Sequence, residues 1–284
     1  MPASLIETKR RIVTIQSTEK ITKAMKLVSS VKFQKWKKMY DENSSYTNKM
    51  RDIFIRTYLG VDLKQTNLNI YLNSFSSTKN LYVVISSTLG LCGSYNYNVF
   101  KKLDSVLKDD DEILVIGQKG LLHYRNYKNK IYDTFVNLFD NFSYNNIRLL
   151  RHYLFRLYKD KTYHSISICY TSYKNSINFS PVIETLAPFT IPIIENNHED
   201  SYPPIFAPDA ETVCNLIFPY YADSLLYNRF ISAALSEQAS RRNAMESASK
   251  NANDIVNDLT LVYNKSRQEQ ITQEITEVAS AANI

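Results

Sequence analysis

Residues 245–262 read MESASKNANDIVNDLTLV, and their apolar and alanine side chains recur at alternating steps of three and four. This spacing is that of the a and d positions of a coiled coil. It predicts a long helix whose seam consists of Met245, Ala248, Ala252, Ile255, Leu259 and Val262. Further along, the same spacing meets Ser266 and Glu269, and this interruption predicts a stutter in the seam.

Helix-breaking residues are absent from both ends of the chain. The sequence has 284 residues with only 5 Gly and 8 Pro, and none of these thirteen lies in residues 3–59 or 220–284. Unbroken helices through these stretches would be roughly 85 and 95 Å long. This distribution disfavours a β-sandwich, a disulfide scaffold and a collagen-like or disordered chain.

The N-terminal stretch carries an apolar face of its own. Its predicted members are Ile12, Ile15, Ile21, Met25 and Val28, with Thr18 or Thr22 in the gap. Together the two ends predict a long antiparallel coiled coil, and two separate helices of a bundle are the alternative.

The middle of the chain changes to short apolar runs followed by loops. Leu81–Ile85 and Ile113–Ile116 have the length and β-branched content of buried parallel strands, and Ile166–Tyr170 is a third candidate. These runs predict a Rossmann-like α/β domain between the two helices. The expected division is residues 1–59 for the N-terminal helix, 60–208 for the globular domain and 209–284 for the C-terminal helix.

The glycine loops after the first two runs lack the residues of a nucleotide site. Residues 90–93 and 117–120 each show only GxxG, without the Gly-Lys-Ser/Thr of a P-loop or the full GxGxxG fingerprint. The four histidines and three cysteines have no metal-ligand spacing, and no set of nucleophile, base and orienting residue is evident. We therefore expect no nucleotide, cofactor or metal and no catalysis by the chain alone.

The net charge of +6 is concentrated at the N-terminus. Residues 1–59 hold thirteen Lys and Arg against five Asp and Glu, which gives +8, whereas residues 220–284 hold six against eight, which gives −2. A basic helix suits nucleic acid or an anionic membrane. Because charge runs usually mark solvated faces, a solvated helix that lies against an acidic protein partner is the favoured interpretation.

Three sequence blocks occur in a characteristic order along the chain. They are ITKAMKLV at residues 21–28, SSTLGLCG at residues 86–93 and NKSRQEQITQEITEV at residues 264–278. Together with SEQASR at residues 236–241 and LTLVY at residues 259–263, they strongly resemble the γ subunit of F-type ATP synthase.

The resemblance implies the same coiled coil and Rossmann-like domain. It also implies a rotating central shaft inside a ring of three α and three β subunits, with the globular domain bound to an ε/δ-type subunit and to the c-ring of the membrane rotor. Catalysis would belong to the β subunits, so the chain would be a non-catalytic subunit with no cofactor. Its location would be peripheral, at the cytoplasmic face of the bacterial cell membrane.

The resemblance also implies which residues meet the ring. Met25 is expected to touch β from the N-terminal helix, although a seam residue is its alternative role. The C-terminal positions expected in coupling or β contact are Arg241, Arg267, Gln268, Thr272, Glu274, Thr276 and Glu277. Arg267 and Gln268 are expected to donate hydrogen bonds to an acidic loop of β. For Glu274, Thr276 and Glu277, simple solvation is the alternative.

The sequence departs from the family pattern in three places. Ser94 stands where the family has a second glycine, residues 278–280 lack the usual C-terminal glycine, and residues 121–210 match poorly and are rich in Tyr, Asn, Phe and Lys. An AT-rich genome of the mycoplasma kind explains this bias, and so does an F1-like motor with a non-standard output. A basic coiled-coil adaptor for nucleic acid is the third hypothesis.

Overall fold

A computed structural model describes residues 5–61, 68–191 and 205–281. The chain forms two compact units, Met1–Val31 with Arg241–Ile284, and Lys32–Ser240, called here the helical unit and the sheet unit. The division predicted from the sequence, at residues 59/60 and 208/209, follows the expected helix ends rather than compactness and stays a prediction. The helices are α1 Leu5–Tyr58, α2 Asn69–Leu72, α3 Tyr95–Asp104, α4 Gln118–Tyr124, α5 Tyr144–Lys159 and α6 Ala210–Ala281. The strands are β1 Asn80–Ile85, β2 Glu112–Ile116, β3 Ile131–Tyr132, β4 Ser165–Tyr173 and β5 Phe179–Ala187.

The sheet unit contains one five-stranded sheet in the order β3-β2-β1-β4-β5. The pairs β1–β2, β1–β4 and β2–β3 are parallel, and β5 runs antiparallel to β4 at the edge. All five residues of β2 are buried, as expected for a strand that is covered on both faces. The predicted α/β fold class is confirmed, with long helices at both ends of the chain and a mostly parallel sheet between them in sequence.

Helices cover the sheet on both faces. Leu81, Val83, Leu114 and other inward residues of one face pack with α5 and with Phe230 of α6. The opposite face packs with α3 and α4 in a second core cluster. A third cluster is largely aromatic and joins the C-terminal part of α1 to the N-terminal part of α6, where Phe54 stacks on Tyr221 with ring centroids 5.1 Å apart.

Helix α6 begins at an aspartate cap and passes through a proline. The carboxylate of Asp209 accepts hydrogen bonds from the backbone nitrogen and the hydroxyl of Thr212, at 2.8 and 2.9 Å, which stabilises the first turn. These bonds lower the pKa of the Asp209 carboxyl group. Pro219 lies inside the helix. The helix thus begins before the proline-free stretch 220–284. Pro219 has no N–H group to donate within the helix, and the aromatic packing of its neighbour Phe218 offsets this loss.

Glycine is required at positions 117 and 120 because the backbone there lies very close to Ser86. Gly117 has a φ of +94°, and a Cβ at this position would collide with the carbonyl oxygen of Ser86. The backbone nitrogen of Gly120 donates to the Ser86 hydroxyl at 2.8 Å, and a Cβ on Gly120 would lie 2.8 Å from that oxygen. This GxxG sequence thus packs the start of α4 against the end of β1.

In the helical unit the two helices run antiparallel. The hydroxyls of Thr22 and Ser249 form a buried hydrogen bond of 2.7 Å, and the Lys26 ammonium donates to the Glu246 carboxylate at 2.8 Å. Moving four residues towards the C-terminus of α1 therefore corresponds to moving three residues towards the N-terminus of α6. This pairing agrees with the predicted antiparallel coiled coil.

The observed seam differs from the predicted one. On α6 the buried or half-buried positions that follow this spacing are Met245, Ser249, Ala252, Val256, Leu259, Tyr263 and Ser266, and the predicted Ala248 beside Ser249 is also half-buried. On α1 they are Leu5, Thr8, Ile12, Ile15, Glu19, Thr22, Lys26 and Ser29. Both sets keep the alternating steps of three and four, so the period was right. The prediction was wrong at Ile21, Met25, Val28, Ile255 and Val262, which are exposed. Their neighbours Thr22, Lys26 and Ser29 on α1 and Val256 and Tyr263 on α6 take the seam positions instead.

Candidate functional site

An exposed apolar stripe runs along α1 in the helical unit. Ile21, Met25 and Val28, called here the outer stripe, are 58, 38 and 56% exposed and follow one another at helical spacing. Lys20 and Lys23 lie on the same turns and are also exposed. Solvent-exposed apolar residues grouped in this way and bordered by charge are typical of a protein-binding surface.

The other helix also has apolar residues on its surface. Ile255, Leu261 and Val262 are 46, 70 and 56% exposed, although the first and last were predicted in the seam. Sequence reasoning missed these outward positions because it assigned every regularly spaced apolar residue to the interior. The signal that could have identified these exposed positions is a second series at heptad spacing along α1, which consists of Thr and Ser residues.

All residues from Arg267 to Ala281 are exposed. Most of the predicted contact residues belong to this segment. Their internal hydrogen bonds run along the helix: the Thr272 hydroxyl donates to the Gln268 carbonyl at 2.9 Å, and the Thr276 hydroxyl donates to the Thr272 carbonyl at 2.8 Å. The Glu274 and Glu277 carboxylates accept from the side-chain amides of Gln270 and Gln273 at 3.0 and 2.9 Å.

These predicted residues divide between two sides of α6. Successive residues of a helix are rotated by about 100°, which places Gln268, Thr272 and Thr276 on one side and Arg267, Glu274 and Glu277 on roughly the other. The first side presents amide and hydroxyl groups, and the second presents one guanidinium and two carboxylates. The segment therefore offers different chemistry to partners that approach from different directions.

The structure brings only some of the predicted residues together. Met25 precedes Lys26, whose partner Glu246 lies five residues after Arg241, so Arg241 lies six residues, or about 9 Å along the axis, from the level of Met25. Arg267 lies twenty residues beyond the level of Met25, which corresponds to about 30 Å along the helix axis. The predicted site is thus two separate contact zones.

The crevice at the carboxyl ends of β1 and β4 is filled by the chain itself. The strand order reverses between these two strands, and this is where open α/β sheets bind nucleotides. Ser232 of α6 accepts a hydrogen bond from the Tyr173 backbone nitrogen at 2.8 Å, and the Ser240 hydroxyl donates to the Cys92 carbonyl at 2.7 Å. The Tyr95 hydroxyl, at the start of α3, donates to the Ala233 carbonyl at 3.3 Å.

A buried carboxylate lies at the opposite edge of the sheet. Glu112 accepts hydrogen bonds from the hydroxyls of Tyr163 and Tyr132, at 2.5 and 2.7 Å. Burial opposes ionisation of Glu112, but these hydroxyls, with Lys130 and Lys79 nearby, lower the pKa of its carboxyl group overall. The cluster connects β2, β3 and the loop before β4.

The described residues contain neither a metal-binding cluster nor a membrane-spanning helix. Residues 5–61, 68–191 and 205–281 contain no group of three His, Cys, Asp or Glu side chains arranged to hold a metal ion. No helix in these ranges combines the length and the apolar character needed to span a bilayer.

Comparison with known proteins gives a consistent result over the whole chain. A family model described as ATP synthase matches residues 4–284. The chain is 36% identical over 279 residues to the ATP synthase gamma chain of Mycoplasmopsis pulmonis, covering 98% of this chain and 99% of the relative. It is 33% identical over 283 residues to the ATP synthase gamma chain of Clostridium kluyveri, covering 99% of this chain and 98% of the relative.

Solved structures support the same fold. A chain of the Euglena gracilis mitochondrial ATP synthase (OSCP/F1/c-ring) matches with a TM-score of 0.66 at 17% identity, covering 98% of this chain and 93% of the other. A chain from the central stalk and c-ring structure of the Tetrahymena thermophila mitochondrial ATP synthase matches with a TM-score of 0.57 at 23% identity, covering 81% and 99%.

Proposed function

This chain belongs to the γ-chain family of ATP synthases, and from that premise we propose that it is the central rotor shaft of an F1-type rotary ATP synthase. In this role it couples ATP synthesis or hydrolysis in an α3β3 ring to rotation and to proton translocation. The observation that carries the proposal is the exposure of several apolar residues of the helical unit, which are the outer stripe on α1 and Ile255, Leu261 and Val262 on α6. A surface of this kind requires a surrounding partner.

The proposed contact zones follow from exposure and charge. The outer stripe with its lysines provides one zone, and the exposed segment from Arg267 provides the other. Arg267 and Gln268 are proposed to donate hydrogen bonds to an acidic loop of β, because a guanidinium group binds carboxylates directionally. Met25, Arg241, Thr272, Glu274, Thr276 and Glu277 complete the proposed coupling residues.

Further partners are part of the same proposal. The sheet unit would bind an ε/δ-type subunit and the c-ring, so that the assembly lies peripherally at the cytoplasmic face of the membrane. ATP chemistry would belong to the β subunits, which makes this chain a non-catalytic subunit. Filling of the sheet crevice by Ser232 and Ser240 of α6 supports this division of labour.

Two alternatives are weaker. An F1-like motor with a non-standard output would keep the same shaft, but the relatives from Mycoplasmopsis and Clostridium are named ATP synthase gamma chains. Binding to nucleic acid as an adaptor would not account for the exposed apolar residues of the outer stripe.

The test is purification of the tagged chain from its native membranes. We expect the α and β subunits and a c-ring to co-purify, and their absence would overturn the proposal. In the purified complex, Arg267→Ala with Gln268→Ala should lower coupled ATP hydrolysis by about threefold or more. The matched control is Lys250→Ala with Asn253→Ala, which removes a cation and an amide from exposed positions of the same helix. Equal activity of both double variants would remove Arg267 and Gln268 from the contact zone.

A further inference from the structure

Helix α5 of the sheet unit carries positive charges and no negative ones. Its sixteen residues, Tyr144–Lys159, include four Lys and Arg and no Asp or Glu. Residues 141–183 hold six Lys and Arg against one Asp, which gives +5, although the wider range 60–219 holds fifteen of each. The positive charge of this wider range is therefore concentrated on one helix and the residues that follow it.

The cations of α5 divide into one that is buried and three that face solvent. Arg151 is 5% exposed, and its guanidinium donates to the Asp223 carboxylate of α6 at 2.5 Å. Arg148, Arg156 and Lys159 are exposed, and none of them forms an ion pair with a carboxylate of the described residues. The fold thus neutralises the cation that it buries and leaves the three exposed cations available to another molecule.

The three exposed cations form one row along the helix, called here the basic row. At about 100° per residue, Arg148, Arg156 and Lys159 lie within a sector of about 80° and span about 17 Å along the helix axis. His152 lies between them and is also exposed. Burial and the neighbouring Arg151 lower the pKa of the His152 imidazole, so at neutral pH this ring adds a neutral hydrogen-bonding group to the row.

Aromatic rings hold two cations of the basic row in place. The Arg156 guanidinium lies 5.9 Å from the centre of the Tyr153 ring, and the Lys159 ammonium lies 5.6 Å from the centre of the Tyr71 ring. Burial raises the pKa of the Tyr153 hydroxyl, whereas Arg156 and Lys130 oppose this shift, so Lys130 is a further cation beside the row. Such contacts restrict long side chains, and less conformational entropy is then lost when an anionic partner binds.

We propose that the basic row is a docking surface for an acidic face of the ε/δ-type subunit, an inference that rests on the proposed rotor function. Ion pairs across an interface fix the register of the two partners. The partner must therefore turn together with the chain, because a stationary subunit held in this way would oppose rotation. A straight row that is one helix wide suits a single copy of a partner better than a ring of identical subunits or a bilayer surface.

The first experiment identifies what covers the basic row in the native complex. The photo-activatable residue benzoylphenylalanine is introduced at His152, in the middle of the row, and in a second complex at Lys128, an exposed position in the turn after α4. Lys128 is the matched control, because α4 packs on the other face of the sheet. We expect irradiation to join position 152, and not position 128, to a peptide of the ε/δ-type subunit that is rich in Asp and Glu.

The second experiment measures the binding of the full chain to the purified ε/δ-type subunit. Arg156→Glu with Lys159→Glu should weaken this binding by about tenfold or more, because attractive charge pairs become repulsive. Added salt should reduce the difference, since it screens exposed charges. Arg156→Lys with Lys159→Arg keeps both charges and should retain most of the affinity. The matched control is Arg125→Glu with Lys128→Glu, which reverses one Arg and one Lys, also three residues apart, at exposed positions outside the row.

Several outcomes would overturn the proposal. One is cross-linking of position 152 only to α, β, the c-ring or lipid, or to nothing. Another is equal affinity of the original and charge-reversed chains. Trp36 fluorescence checks that the charge-reversed chain is folded, and Arg148→Glu, expected to weaken binding by about threefold, is the second variant if it is not. Failure of the chain to co-purify with α and β subunits would refute the rotor function, whereas a complete complex without a cross-link at position 152 would refute only the docking surface.

Discussion

The sheet unit and the helical unit bury different kinds of side chain. The sheet unit places large residues such as Phe54, Tyr158 and Phe230 fully inside, whereas the buried residues of the helical unit are mostly small or polar, such as Thr22, Ser29 and Ala252. Burial of large apolar groups contributes most to stability, and polar seams contribute more to geometry. We expect the sheet unit to gain more stability from apolar burial than the helical unit does.

The largest effect on stability is expected when a large buried side chain of the sheet unit is removed. Phe230→Ala should lower the free energy of unfolding by about 3–5 kcal/mol, because a fully buried ring is replaced by a cavity. Chemical denaturation can be followed through Trp36, the only tryptophan, which packs edge-on to Phe142 at 5.1 Å in the same unit. A loss below about 1 kcal/mol, on the scale of a surface change, would contradict the expected contribution of apolar burial to this unit.

The second prediction concerns the buried carboxylate of the sheet unit. Glu112→Gln should cost about 1–3 kcal/mol at neutral pH, because two tyrosine hydroxyls lose a charged acceptor. The pKa of Glu112 is lower in the folded chain than its ordinary value of 4.5, so its carboxylate stabilises the fold above that pH. This contribution is lost as the pH falls through the folded pKa.

Unfolding free energies measured across this acid range provide the check. The original chain should lose the Glu112 contribution on acidification, and Glu112→Gln should show a smaller dependence on pH in the same window. Parallel pH profiles for the two chains would show that Glu112 is not a stabilising carboxylate. Asp110→Asn, one neutralised surface carboxylate in the loop before β2, is the matched control.

A smaller effect is expected in the polar seam. Thr22→Val keeps the shape of the side chain but leaves the Ser249 hydroxyl without its 2.7 Å partner, at a cost of about 1 kcal/mol. Adding Ser249→Ala should recover part of this loss, because neither hydroxyl is then left unpaired. Thermal unfolding followed by circular dichroism measures both variants, and additive losses would show that the two hydroxyls are not coupled.

The smallest effect should come from the predicted seam residue that the structure places outside. Val262→Ser should change stability by less than about 0.5 kcal/mol, since this side chain is 56% exposed. Met245→Ser is the comparison, because Met245 is buried and belongs to both the predicted and the observed seam. Equal losses of unfolding free energy in the two variants would indicate that Val262 is buried.

The sequence was most informative where pattern and composition agree. Strand β1 was predicted at 81–85 and runs from Asn80 to Ile85, because a short β-branched run buried on both faces has few alternatives. Strands β3 and β5 were not predicted. The first has only two residues, and the second is an edge strand that contains Pro181, so neither carries a strong pattern.

The contact residues show the limit of single-sequence reasoning. The heptad period of the helices was readable, but the choice of seam was not, because Thr22 and Ser249 reveal their value only when they meet across the pair. Similarly, Arg267 and Gln268 were selected through family resemblance, and their exposure does not by itself identify a partner.

Helix α6 in the crevice of the sheet has a consequence for how the unit responds to metabolites. Because the helix is covalently attached to the sheet unit, it competes for the crevice as an intramolecular ligand, and short tethers give effective concentrations of about millimolar or higher. A free nucleotide would have to displace the hydrogen bonds of Ser232 and Ser240 together with the packing of Phe230. The sheet unit should therefore keep its structure when cellular ATP rises or falls, so that its mechanical role is independent of the ATP concentration.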